Sequence, residues 1–104
     1  MLSSARLADF VAAPVGRYHA SDHFLIWVAT PTLCGTIAWG AIAPEVARQL
    51  VTAWAFEAQL AAPYTAIIDL AALGAIEPAS FQTIATFMQT AAPRLARRVR
   101  RQAL

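Results

Sequence analysis

Residues 24–29 run Phe-Leu-Ile-Trp-Val-Ala without a polar interruption. Strand alternation sends Phe24, Ile26 and Val28 to one side and Leu25, Trp27 and Ala29 to the other, so this stretch reads as a strand that needs cover on both faces. Aromatic and β-branched residues dominate 16–42 as a whole, and Thr30-Pro31-Thr32 marks a turn inside it, which predicts two or three antiparallel strands. Ahead of them Leu7, Phe10 and Val11 recur at helical spacing. With Ser3 or Ser4 as N-cap and Pro14 as the stop, they predict a short N-terminal helix.

The rhythm changes at Pro44, which suits the first position of a helix that ends before Pro63. At 100° per residue Val46, Ala47, Leu50, Val51, Trp54 and Ala58 form its inner arc, and Glu45, Arg48, Gln49, Thr52 and Gln59 its outer one. Phe56 falls in the polar arc and is a candidate partner contact. Residues 64–70 predict a short buried strand. A turn follows, then a second helix from Pro78 with Phe81, Ile84, Ala85 and Met88 facing inward and Pro93 closing it. The tail reads as a last helical turn or as a strand over 98–104, and the strand is favoured because a parallel partner after a crossover helix completes a βαβ unit. These elements predict one α/β domain over residues 1–104: a small mixed sheet, helices mainly on one face and a short N-terminal helix.

Composition adds a demand for cover. Of 104 residues 59% are apolar and 13% charged, a sticky balance for a monomer, and the uncovered side of the 24–29 strand predicts a homodimer with Leu25, Trp27 and Phe56 as interface candidates. No apolar run reaches the roughly 18 residues of a membrane span. Arg6 and Asp9 interrupt any export signal, and Cys34 is the one cysteine, so a cytoplasmic protein without membrane contact is expected. All eight basic residues are arginine, and Arg94, Arg97, Arg98, Arg100 and Arg101 form a basic segment suited to solvent or an acidic surface.

Candidate chemistry is thin, and neither catalysis nor a cofactor or metal is expected. Asp69 and Glu77 flank the predicted turn as a carboxylate pair without a histidine beside them, and a strand-end Asp69 accepting loop N–H groups is the favoured reading. His19 and His23 lack a third ligand for zinc. Cys34 has no basic neighbour in the chain to activate it. The aromatic residues, Trp39, Trp54 and Phe87 in particular, suit either plain core or a small apolar pocket for an effector. Ser80 stands in the first turn of the second helix, either as a helix-start residue or as a phosphate acceptor.

The order strands, helix, strand, helix, strand around "DLAALGAIEPASF" resembles the STAS family of bacterial anti-sigma-factor antagonists over residues 24–104. That resemblance implies a switch turn of the form Asp-Ser-Ser/Thr-Gly whose second hydroxyl residue is phosphorylated. Here Glu77-Pro78-Ala79-Ser80 puts Ala79 at the phosphoacceptor position and Ser80 where the glycine would be. The switch layout is kept without its trigger, so Ser80 is expected to be structural. "DFVAAPVGRY", "TPTLCGTIAWG" and "RRVRRQAL" are further similar to the N-terminal region of AraC-type transcription regulators. This implies a regulatory domain whose DNA binding resides in a further C-terminal domain. A stand-alone antagonist-like protein and a sensor of a small apolar ligand are the alternatives.

Overall fold

The computed structural model describes the backbone of residues 2–61 and 63–103, and the side chains of these residues apart from Leu70 and 92–103. Six strands form one mixed sheet in chain order: β1 (Ser3–Ser4), β2 (Arg17–Ala20), β3 (Phe24–Thr30), β4 (Leu33–Ile42), β5 (Tyr64–Ile76) and β6 (Val99–Ala103). β2, β3 and β4 are joined antiparallel, as the turn residues between them require. β4, β5 and β6 run parallel, each pair joined by a helical crossover. The helices are α1 (Leu7–Ala12), α2 (Pro44–Ala53), which continues as a 3-10 helix (Trp54–Gln59), and α3 (Pro78–Arg98). The mixed α/β class expected from the sequence is the observed one.

β3 fixes the inside of the molecule. Phe24, Ile26 and Val28 are fully buried, and their core takes in Phe10 of α1, Cys34 and Ala38 of β4, Leu50 and Ala53 of α2, and Phe56. Each large apolar side chain removed from water there contributes roughly 1.5–3 kcal/mol. α1 packs on the 3-10 helix and α2, and α2 packs on α3, so all the helices form one layer on the Phe24 side of the sheet. Among the described residues no helix is long and apolar enough to cross a membrane.

Several boundaries differ from expectation for physical reasons. Ser3 and Ser4 do not cap α1; they pair with Arg17 and Tyr18, and α1 starts after Arg6 without a side-chain cap. The helix from Pro44 changes to 3-10 geometry at Trp54. Residues three apart eclipse in a 3-10 helix, so Phe56 falls in line with buried Ala53. It is therefore 4% exposed, set edge-on against Phe10 at 5.4 Å, and is not the surface aromatic of an all-α reading. Ala58, expected inside, is exposed instead.

The strand predicted at 64–70 runs on to Ile76, through the region read as a turn. Residues 70–76 hold no proline, asparagine or aspartate to break it, and the ten-residue β4 offers a neighbour as far as the Ile42–Ile76 pair. What remains of the turn is a register shift between the Ile37–Asp69 and Trp39–Ala72 pairs, where the Asp69 carboxylate accepts the Ala71 N–H at 3.0 Å. Pro93 does not close α3, which continues to Arg98. Leu95, Ala96, Arg97 and Arg98 are strong helix formers and carry it past the proline. The inward face of α3 is also rotated by about one residue: Ser80 and Ala91 are buried, whereas Phe81 and Met88, expected inside, are 63% and 37% exposed. The strand expected over 98–104 forms as β6, with Leu104 outside the described residues.

Candidate functional site

Strand alternation and register divide the sheet into two unlike faces. Phe24, Ile26, Val28, Cys34, Thr36 and Ala38 point toward the helices. Tyr18 pairs with Trp27, Leu25 with Ile37, Gly35 with Ile67 and Trp39 with Ala72, and all of these point the other way. α1 lies with the other helices, so no described helix covers this second face. Its aromatic and aliphatic side chains are half-buried by one another, and Ile67 is 40% exposed.

Trp27 makes this face smooth. A β-carbon at Gly35 would overlap Trp27 ring atoms Cε2, Cζ2 and Nε1, so the indole lies flat across the glycine of the adjacent strand. Leu25 and Trp27, the interface candidates on β3, are thus together on the open face. Phe56, the third candidate, is excluded from it by burial in the core.

The helical side holds an apolar cavity of about 370 Å³. α2 and α3 pack along each other, but α3 touches β5 only sparingly, and the gap lies between them and the sheet. Leu50, Trp54, Ala66, Ile68, Ile84 and Phe87 are among its walls, with Phe81 and Met88 at the exposed margin. Trp54 and Phe87 stand 5.2 Å apart with a 37° tilt, and Trp54 Nε1 donates to Thr36 Oγ1 at 3.3 Å. Two of the three proposed pocket aromatics, Trp54 and Phe87, therefore meet. Trp39 does not join them, because its place in β4 turns it to the open face. Alternation along β4 predicts that separation, but aromatic content alone hides it.

The remaining polar candidates are occupied by structure. His19 Nδ1 contacts the Ala5 carbonyl at 3.0 Å and His23 Nδ1 the Trp39 carbonyl at 3.4 Å, and the second imidazole lies in the turn after β2 rather than on the same strand. Among the described residues no group of three or more potential ligands forms a metal site. Asp69 holds the β5 irregularity, and about 25 Å of extended chain separates it from Glu77. Cys34 is buried; burial, and next the Glu57 carboxylate, push its thiol from 9.0 up to about 12. A thiol so far above neutral pH is a poor nucleophile.

Ser80 sits at the third position of α3 with no exposure, and its Oγ has no hydrogen-bond partner among the described residues. Ala79, at the family's phosphoacceptor position, is exposed. The side chains of the basic segment at 94–101 lie outside the described residues. No family model, curated protein or solved structure matches the chain.

Proposed function

We infer that this chain is a non-catalytic regulatory module that acts by binding protein, and that its first partner is a second copy of itself. The observation that carries the reading is the open sheet face with Tyr18, Leu25, Trp27, Ile37, Trp39 and Ile67 on it. Among the described residues the register places two charged positions there, Asp69, whose carboxylate is turned to the Ala71 N–H, and Arg101, opposite Thr65 on the edge strand β6. A flat, mainly apolar surface suits a partner surface of the same kind, and a second copy supplies one.

Size supports the same occupant. The molecule measures 33 × 30 × 23 Å, with the thin axis matching one sheet and one helix layer. A standard interface needs about 800 Å² per partner, roughly 28 by 28 Å, which a face of this breadth provides. Two such sheets stack about 10 Å apart with their side chains interleaved.

The resemblance to STAS domains and to the N-terminal region of AraC-type regulators gives the module its setting: a cytoplasmic transcription regulator with DNA-binding helices elsewhere in the protein. The exposed Ala79, which cannot accept phosphate, supports a domain that lacks that family's phosphorylation switch. Sedimentation velocity at tens of micromolar should give a dimer, and Leu25→Glu should give a folded monomer. A wild-type chain that stays monomeric at 100 micromolar would refute the reading.

A further inference from the structure

The cavity on the helical side lies across the sheet from the open face, so a ligand and a second copy would not compete for the same space. Its walls are almost wholly aliphatic and aromatic, and Glu57 is the one charged residue among the described residues lining it. The polar feature that matters is Thr36. Its Oγ1 accepts the Trp54 indole N–H at 3.3 Å, and the residue is 5% exposed. A hydroxyl that accepts one bond still has its own proton to donate. Among the described residues that proton has no acceptor.

We propose that this cavity binds a small uncharged hydrophobic molecule bearing one hydrogen-bond acceptor, a carbonyl or ether oxygen, which takes the Thr36 hydroxyl proton. Size selects a small molecule over a peptide. At the packing density of protein interiors, about 0.74, a cavity of about 370 Å³ holds roughly 12–15 non-hydrogen atoms, less than a turn of helix with its side chains. The apolar walls select a neutral one, because an ion would lose its hydration there. The tilted Trp54–Phe87 pair offers aromatic faces on which a planar part of the ligand rests. Phe81 and Met88, on the exposed side of α3, form the mouth.

The test uses the fluorescent neutral probe 1-aminonaphthalene, small enough for the cavity, with two competitors of matching shape, benzophenone and diphenylmethane, of which only the first has a carbonyl. The probe should brighten with one site per chain, and the anionic competitor 1-naphthoate, also small enough to enter, should displace it poorly. Benzophenone should displace it at roughly 2- to 10-fold lower concentration than diphenylmethane, the range of one net hydrogen bond. Thr36→Val should bring the two competitors level, while Thr36→Ser should keep the difference. Ala66→Phe, which fills the space, should abolish probe binding in a chain with an unchanged circular dichroism spectrum. Irradiated benzophenone should attach to Ile84, Phe87 or Met88. If Thr36→Val does not fold, the wild-type preference and the site of attachment decide. No probe binding, equal competition on the wild type, or attachment to Trp27 or Trp39 on the open face would overturn the assignment.

Discussion

Replacing Ser80 by alanine should make the protein more stable. The Ser80 hydroxyl has left water entirely and has no partner among the described residues. Such a buried orphan costs about 1–3 kcal/mol relative to a satisfied or solvated one. Alanine removes that cost and adds up to about 0.5 kcal/mol of helix propensity within α3. Against this stands the space vacated by one oxygen, about 0.5–1 kcal/mol at the low end of the cost of deleting a buried group. The balance is a gain of about 1–2 kcal/mol. For a domain of this size it should raise Tm by roughly 5–15 °C. Urea denaturation at neutral pH reads the difference directly, through a higher midpoint at unchanged slope. Ser80→Asp should do the opposite and cost several kcal/mol, because the first turn of a helix offsets at most about 2 kcal/mol of the penalty for a buried carboxylate. A loss of more than about 0.5 kcal/mol in Ser80→Ala would refute the reasoning, since it would mean that the hydroxyl makes a bond worth keeping. Stoichiometric phosphate on Ser80 in protein isolated from its own cells would refute the companion claim that the residue is sealed inside.

Phe56→Ala should cost about 3–5 kcal/mol, the range for deleting a core phenylalanine, and unfold the chain at a lower urea midpoint; a cost below 1 kcal/mol would return Phe56 to the surface. The Cys34 thiol titrates near 12 in the folded chain against 9.0 ordinarily, so the unfolded chain releases its proton first as pH rises. Stability should hold below pH 9 and then fall by up to about 1.4 kcal/mol per pH unit between 9 and 12, a slope that Cys34→Ala should flatten when urea midpoints are compared across that range. Gly35→Ala should force the Trp27 indole off the sheet, shifting tryptophan emission to the red, and an unchanged spectrum would contradict the close approach.

Much of the fold was legible where one periodicity held. β3 alternates cleanly, and the buried set Phe24, Ile26 and Val28 follows from that alone. Pro44 at the start of α2 and the Thr30-Pro31-Thr32 turn were equally plain. Sequence reasoning failed where geometry changed without a marker. Nothing in Trp54-Ala55-Phe56 announces a tighter helix, yet that change decides whether Phe56 faces the core or water. β5 lengthened past its apparent turn because β4 supplied a partner, which is a non-local cause. Pro93 was overruled by the helix formers after it. The candidate sites were half legible. Leu25 and Trp27 were assigned to the open face by alternation, whereas the grouping of Thr36 with Trp54 and Phe87 needed the crossover packing that brings α2 and α3 over β4.

The claim that the open sheet face is where copies meet is tested most directly by hydroxyl-radical footprinting, read by mass spectrometry at about 1 and 100 micromolar protein. Tyr18, Trp27 and Trp39 should lose reactivity together at the higher concentration, while Phe81 and Met88, exposed on α3 at the other side of the molecule, stay equally reactive at both. Protection of Phe81 and Met88 with Trp27 and Trp39 unchanged, or no concentration-dependent protection at any of the five, would contradict it.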